Sequence, residues 1–301
     1  MEKQNKKNGM IQTKNKSFKE ISEDKWDLII KPETSLFEID LAEIWRYRNL
    51  LMMYVKRDIV TFYKQTILGP LWFFIQPLFT TLIFMVVFGG MAGISTNGLP
   101  KGLFYMAGIL CWNYFSDCLT RTSLTFKENQ QIFGKVYFPR VVVPFSIIIS
   151  NLVRFGIQFL LFGIFYFYYL VKGVSIHPNY GILFFPVLVL IMAGLALGFG
   201  MIITALTTKY KDLVFLVQFA VQLWMYATPV IYPLSVTPDK YKWLVLANPM
   251  TAVVETFKYG FLNQQSFQIL NLLYSACFSV VILIIGILVF NKVEKGFMDT
   301  I

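Results

Sequence analysis

Charge is scarce in this chain. Asp, Glu, Lys and Arg make up 15% of its 301 residues, against about 25% in a soluble globular protein. Histidine occurs once, as His177 beside Pro178, and cysteine three times, as Cys111, Cys118 and Cys277. The thiols have no metal-ligand spacing and are odd in number, which argues against a zinc centre or a disulfide framework. They fall in apolar runs and read as small buried apolar residues; His177 reads as a solvated loop residue. No G-x-x-x-x-G-K-[ST] phosphate loop is present. Paired carboxylates within an apolar run, a Cys–His set and a Ser–His set are also missing. The chain by itself is therefore not expected to be an enzyme, and no metal or cofactor is expected on it. Any uphill work would draw on a partner or an ion gradient. Gradient-driven carriers bury several acids or break helices around ions; this chain has essentially one acid in an apolar run, so a partner is the better match.

What is present is hydrocarbon. The chain is 56% hydrophobic, with a mean hydropathy of +0.58. Runs of about 20 apolar residues recur, long enough to cross a bilayer core as helices. The runs are continuous rather than alternating, so helices are expected and a barrel is not. The sequence predicts an all-α integral membrane protein with six transmembrane helices, at 71–91, 103–120, 141–171, 182–206, 213–231 and 268–290. The third is too long to cross upright and should tilt or project. Around these lie a Lys-rich tail over 1–40, an amphipathic interface helix and junction over 41–70, the span domain over 71–290, and a tail over 291–301. The first 40 residues lack an apolar core segment, so a cleavable signal peptide is not expected.

The distribution of cations sets the orientation. Of the 27 Lys and Arg residues, only Lys101, Lys172, Lys240, Lys242 and Lys258 fall on one side, and Arg154 lies within a span. The rest gather on the other side, which is expected to be cytoplasmic and to hold both termini.

The most informative stretch is Arg57 to Pro77. It is charged up to Lys64, punctuated by Gly69-Pro70, and free of charge from Trp72 until Lys101. Upstream, Asp40 and Glu43 form a candidate capping box for a helix running to about Lys64. Ile44, Leu51, Val55, Ile59 and Phe62 share one face, with Arg46, Arg57 and Lys64 opposite; Arg48 and Asp58 border the apolar stripe. Such a helix suits an anionic membrane surface or packing on protein. Between the fifth and sixth spans, two short apolar pieces, about 241–247 and 250–261, are too short to cross and read as re-entrant or surface-lying helices.

Ionisable residues inside spans are candidate functional groups. Asp117 and Arg121, four residues apart, sit on one helix face. Arg154 has two readings: a structural pair with Asp117 or backbone carbonyls, or a cation facing the path of an anionic substrate. The loop 121–140 mixes Phe126, Ile132, Phe133 and Phe138 with charge, and reads either as a short helix docking on a soluble partner or as a solvated connector. Its candidate coupling residues are Lys127, Glu128, Phe133, Lys135, Phe138 and Arg140. Aromatics make up 17% of the chain. Trp72, Phe73, Tyr105, Trp112, Tyr114, Trp224, Tyr226 and Tyr232 are candidates to line a path on which sugar faces stack, the other reading being a lipid belt and helix packing.

Three stretches in this order carry a resemblance: Tyr63-Lys-Gln-Thr-Ile-Leu-Gly-Pro-Leu-Trp72 with Gln76-Pro77; Gly134-Lys-Val-Tyr-Phe-Pro-Arg140; and Thr228-Pro-Val-Ile-Tyr-Pro233 followed by Asn248-Pro249. Over residues 26–290 the chain resembles the permease subunits of ABC-2-type polysaccharide exporters, the O-antigen and teichoic-acid export family. The resemblance implies a homodimer in the bacterial cytoplasmic (inner) membrane, carrying two separate ATP-binding subunits that hold ATP and Mg. It implies outward movement of a lipid-linked glycan, contact of 41–64 and 121–140 with the ATPase, and no nucleic-acid partner. A small lipid or drug as cargo is the alternative within the same family.

Overall fold

The computed structural model describes residues 45–64, 67–136, 138–174, 176–210, 212–263 and 267–296. The expected capping box at Asp40 and Glu43 lies outside them, as does the whole tail over 1–40. Among the described residues the regular structure is all helical. Ten α-helices follow one another: α1 Arg48–Tyr63, α2 Trp72–Phe84, α3 Lys101–Thr122, α4 Thr125–Phe133, α5 Val142–Val171, α6 Phe185–Lys209, α7 Leu213–Tyr226, α8 Asp239–Ala247, α9 Pro249–Leu262 and α10 Ile269–Gly296.

The junction after α1 is built as the punctuation predicts. Gly69 adopts φ +50°, a left-handed conformation that costs a residue with a Cβ. Pro70 then sits in a 3₁₀ turn, Gly69–Leu71, that leads into α2. Met85–Met91 continues α2 as a π-helical segment, and Lys101 donates to the Gly89 carbonyl there, 2.5 Å away.

Four stretches are long and apolar enough to cross a bilayer: Gly69–Met91, Val142–Val171, Tyr180–Lys209 and Ile269–Glu294. The other two expected spans differ from that standard in opposite ways. Helix α3 has the length but carries Asn113, Asp117 and Arg121. It is buried along nearly all of its course, packed by α2, α5, α6, α7 and α9. A helix wrapped in protein has no need of a lipid-compatible surface all round, which explains its lower hydropathy. Helix α7 is apolar but has 14 residues, about 21 Å at 1.5 Å per residue. It ends at Tyr226 rather than continuing to 231, because Thr228-Pro-Val turns the chain; the Thr228 amide closes on the Met225 carbonyl.

The most extensive pairing joins α6 to α10. It is possible because small residues meet there. A Cβ at Gly198 would lie 2.6 Å from the Ile282 carbonyl oxygen, and one at Gly286 would lie 2.6 Å from that of Gly198. Close backbone approach through small residues is the usual route to tight helix pairs in lipid, where burial of apolar surface supplies little drive. Cys111 and Cys118 are buried, as expected, but Cys277 is exposed on α10; an apolar thiol is as compatible with lipid as with a protein interior. His177 is exposed in its loop.

Candidate functional site

One end of the bundle gathers α1, α4, the start of α5 and the end of α10. Its core is aromatic. Phe126 stacks on Phe290 at 4.7 Å and meets Phe133 edge-on at 5.8 Å. Phe133 lies 5.7 Å from Phe138, which lies 6.1 Å from Tyr54 of α1. Around these rings runs an ionic frame. Asp58 is buried, held by Arg57 at 2.8 Å and by Arg121 of α3 at 3.4 Å. Arg57 also donates to Asn129 of α4. Arg140 donates to the Glu294 carbonyl at 2.9 Å, and its guanidinium lies 3.7 Å from the Glu294 carboxylate. Arg57 and Asp58 thereby tie α1 to α3 and α4, and Arg140, just before α5, ties that segment to the end of α10.

This arrangement divides the expected coupling residues into two groups. Phe133, Phe138 and Arg140 are buried within this chain. Lys127, Glu128 and Lys135 are exposed, together with Ile132 and Val136 at 37% and 58%. The rings expected on a docking face pack within this chain. An amphipathic helix turns its aromatic face to the nearest apolar surface, and here its own chain supplies one. Partial removal from water, with Asp58 nearby, raises the Glu128 carboxyl above its ordinary pKa, against the lowering effect of Arg121, Arg57 and Lys127.

Sequence reasoning missed Asp58. It appeared as a flaw in the apolar stripe of α1, yet it is the carboxylate on which the frame closes. The one available signal was that flaw itself, since an acid at a buried position needs a cation. The exposed face of α1 combines Met52 and Met53 with Arg48 and Lys56, and the residues just before the helix add Trp45 and Arg46.

Deeper in the bundle, Arg154 of α5 reaches Asp117 of α3 at 2.6 Å, and its guanidinium lies 4.9 Å from the centre of the Phe73 ring. The structural pairing is therefore present. The aromatic candidates are scattered rather than gathered on one surface. Tyr105, Trp112 and Tyr114 are enclosed within this chain's core and Phe73 is covered by Arg154. Trp112 and Trp224 meet at 6.5 Å. Trp72 and Tyr226 are exposed, and Tyr232 donates to the Tyr226 carbonyl at 3.3 Å.

The opposite end holds α8 and α9, matching the two expected short pieces. Asn248 caps α9 by accepting from the Met250 amide and donates to the Thr228 hydroxyl at 2.8 Å. Lys258 is fully buried. Its ammonium donates to the Pro229 carbonyl at 2.6 Å and lies 3.6 Å over the Phe104 ring. The turn at 228–231 also presses on α3, since a Cβ at Gly108 would lie 2.8 Å from the Val230 carbonyl oxygen. Lys258 was counted as an outer loop cation; the fold makes it the pin between α9 and the turn after α7.

Comparison with known proteins places this geometry. The family model described as ABC-2 type transporter matches residues 49–262. The chain is 29% identical over 266 residues to the O-antigen export system permease protein RfbA of Myxococcus xanthus, covering 87% of this chain and 98% of that one. It is 26% identical over 256 residues to the RfbA permease of Klebsiella pneumoniae, covering 83% and 94%. It is 23% identical over 247 residues to the polysialic acid transport protein KpsM of Escherichia coli, covering 81% and 93%.

Proposed function

Because the chain belongs to the ABC-2 type transporter family, we propose that it is the permease subunit of an exporter carrying a lipid-linked polysaccharide outward. The cargo is a glycan of the O-antigen, capsule or teichoic-acid kind. The observation that carries this is near-full-length similarity to permeases named for O-antigen export, together with a protein named for polysialic acid transport. As a family member the chain is a non-catalytic membrane subunit, and ATP hydrolysis belongs to a separate ATP-binding subunit that holds ATP and Mg.

In this reading the chain sits in a bacterial inner membrane as one half of a homodimer. It crosses six times, through α2, α3, α5, α6, α7 and α10, with both termini cytoplasmic. The α1–α4 end then faces the ATPase. Lys127, Glu128, Ile132, Lys135 and Val136 offer the contact surface, and the aromatic core with its Asp58 and Arg140 frame carries force to α3 and α10. A push on α4 cannot be absorbed locally, because close-packed interiors transmit strain. Of the aromatic candidates, Tyr226, which is exposed and whose carbonyl accepts from Tyr232, is the one offered in this reading to a path formed between two copies. Aromatic faces bind sugars weakly at each contact, which lets a polymer slide.

The test is depletion of this protein followed by analysis of lipid-linked glycans sorted by leaflet. One lipid-linked polymer should build up on the cytoplasmic side. No build-up, with surface glycans unchanged, would refute polysaccharide export and favour a small lipid or drug as cargo.

A further inference from the structure

Between α2, α3 and α5 the structure contains a slot of about 340 Å³. Leu78, Phe79, Leu82, Met106 and Phe165 form its walls, and Met85, Gly102 and Tyr169 form one end. The three helices agree on the direction. Residues 78 to 85, in α2 and the first residue of its π-helical continuation, run toward the loop that precedes Lys101, α3 starts at that loop, and α5 ends shortly after Tyr169. The slot therefore lies in the half of the bundle that the proposed orientation places in the outer leaflet. Its course along α2, seven residues, is about 10 Å.

The walls are carbon and sulfur apart from the hydroxyls of Thr81 and Tyr169. Beside them Phe79, Leu82, Ile83 and Val86 are exposed, so the slot opens on a surface made for lipid. A helix with its side chains is about 10–12 Å across and does not enter a space of this size. A single hydrocarbon chain does, and the two methionines adapt to it. Two cations neighbour this end in sequence. Lys101 opens α3 beside Gly102, with its ammonium at the Gly89 carbonyl. Lys172 follows the last turn of α5 and lies 4.8 Å over the Tyr168 ring. Tyr168 and Tyr169 place hydroxyl-bearing rings at the same level, where the headgroup region of a bilayer begins.

We propose that this slot is a binding site for an anionic phospholipid, with one acyl chain in the slot and the phosphate at Lys172 and Lys101. Gly102 belongs to the site because a Cβ there would approach the Met85 sulfur at 3.2 Å and the Tyr169 hydroxyl at 3.6 Å, narrowing the end where the chain meets its headgroup.

The experiment reconstitutes the full chain into nanodiscs of mixed phosphatidylglycerol and phosphatidylcholine. Lipid retained after detergent extraction is then counted by native mass spectrometry. The wild-type chain should retain phosphatidylglycerol in preference. Leu82→Trp, which fills the slot, should lose the adduct at least about tenfold while keeping its size-exclusion profile; Leu82→Ala should keep it. Lys172→Gln should lower the preference for phosphatidylglycerol about fivefold, the value of one surface lysine near anionic lipid. Three results would overturn the assignment. Unchanged retention in Leu82→Trp would put the lipid elsewhere. Ready disulfide formation between two copies through Leu82→Cys would make a second copy the occupant. Displacement of phosphatidylglycerol by a polyprenyl diphosphate would give the slot to the cargo's own carrier.

Discussion

Phe133→Ala separates holding α4 from offering it to a partner. Phe133 is 2% exposed. Its ring meets Phe126 at 5.8 Å and Phe138 at 5.7 Å, and the Arg140 guanidinium lies 5.4 Å from it. Truncating a buried Phe to Ala removes its transfer free energy and leaves a cavity, together about 3–5 kcal/mol. The two ring pairs, each contributing about 0.5–1.5 kcal/mol beyond burial, place this site toward the upper part of that range. In a chain of this size the loss corresponds to a fall in melting temperature on the order of 10 °C. The assay is thermal unfolding of the full-length chain in detergent, followed by size exclusion of a fluorescent fusion. Phe133→Leu, which keeps most of the volume, should cost under about 1.5 kcal/mol. Lys135→Glu, on the exposed face, should melt with the wild type, within about 0.5 kcal/mol, while lowering export and ATPase coupling. A Phe133→Ala chain that melts with the wild type would refute the claim that the aromatic core holds α4. A Lys135→Glu chain with full export would remove that face from the contact.

Four other outcomes follow from the same geometry. Gly198→Val and Gly286→Val should each destabilise the chain by about 1–3 kcal/mol, the usual cost of overpacking, seen as a lower melting temperature; wild-type melting would mean that α6 and α10 separate freely. Asp117→Asn should cost about 1–2 kcal/mol, less than the 3–5 of a fully buried pair, because the Arg154 and Asp117 side chains are 20% and 35% exposed; an Arg154→Gln chain that melts lower but exports at the wild-type rate would confine Arg154 to packing. Lys258→Met keeps the shape but leaves the Pro229 carbonyl without its donor, at about 1–3 kcal/mol, and Lys258→Arg should not restore the melt, because the guanidinium does not fit the space of an ammonium. The raised Glu128 pKa gives a stability contribution fully present below the unfolded value of about 4.3 and lost as pH rises through the folded value; Glu128→Gln should flatten the melting profile across that acidic window, and an unchanged profile would refute the shift.

Composition and periodicity were enough for the class of molecule. Scarce charge and long unbroken apolar runs leave helices in a bilayer as the arrangement that satisfies every backbone group, and the Gly69-Pro70 break, α5 and the two short pieces after α7 follow from local chemistry. Those features depend on neighbours in sequence, so they are legible in it. The hydropathy of α3 and the extent of α7 were not, because both depend on what surrounds them: α3 is sheathed in protein, and the turn at 228–231 is held by Asn248 and by Lys258 from α9. Charge and ring patterns named Arg154, Phe133 and Phe138 as residues of consequence without saying which way they point. Only packing decided that the two rings face inward, that Arg154 meets Asp117, and that Asp58 and Lys258 are structural anchors rather than a blemish and a loop cation. An ion pair or a buried ring depends on a partner many residues away, and a sequence read one helix at a time has no term for that partner.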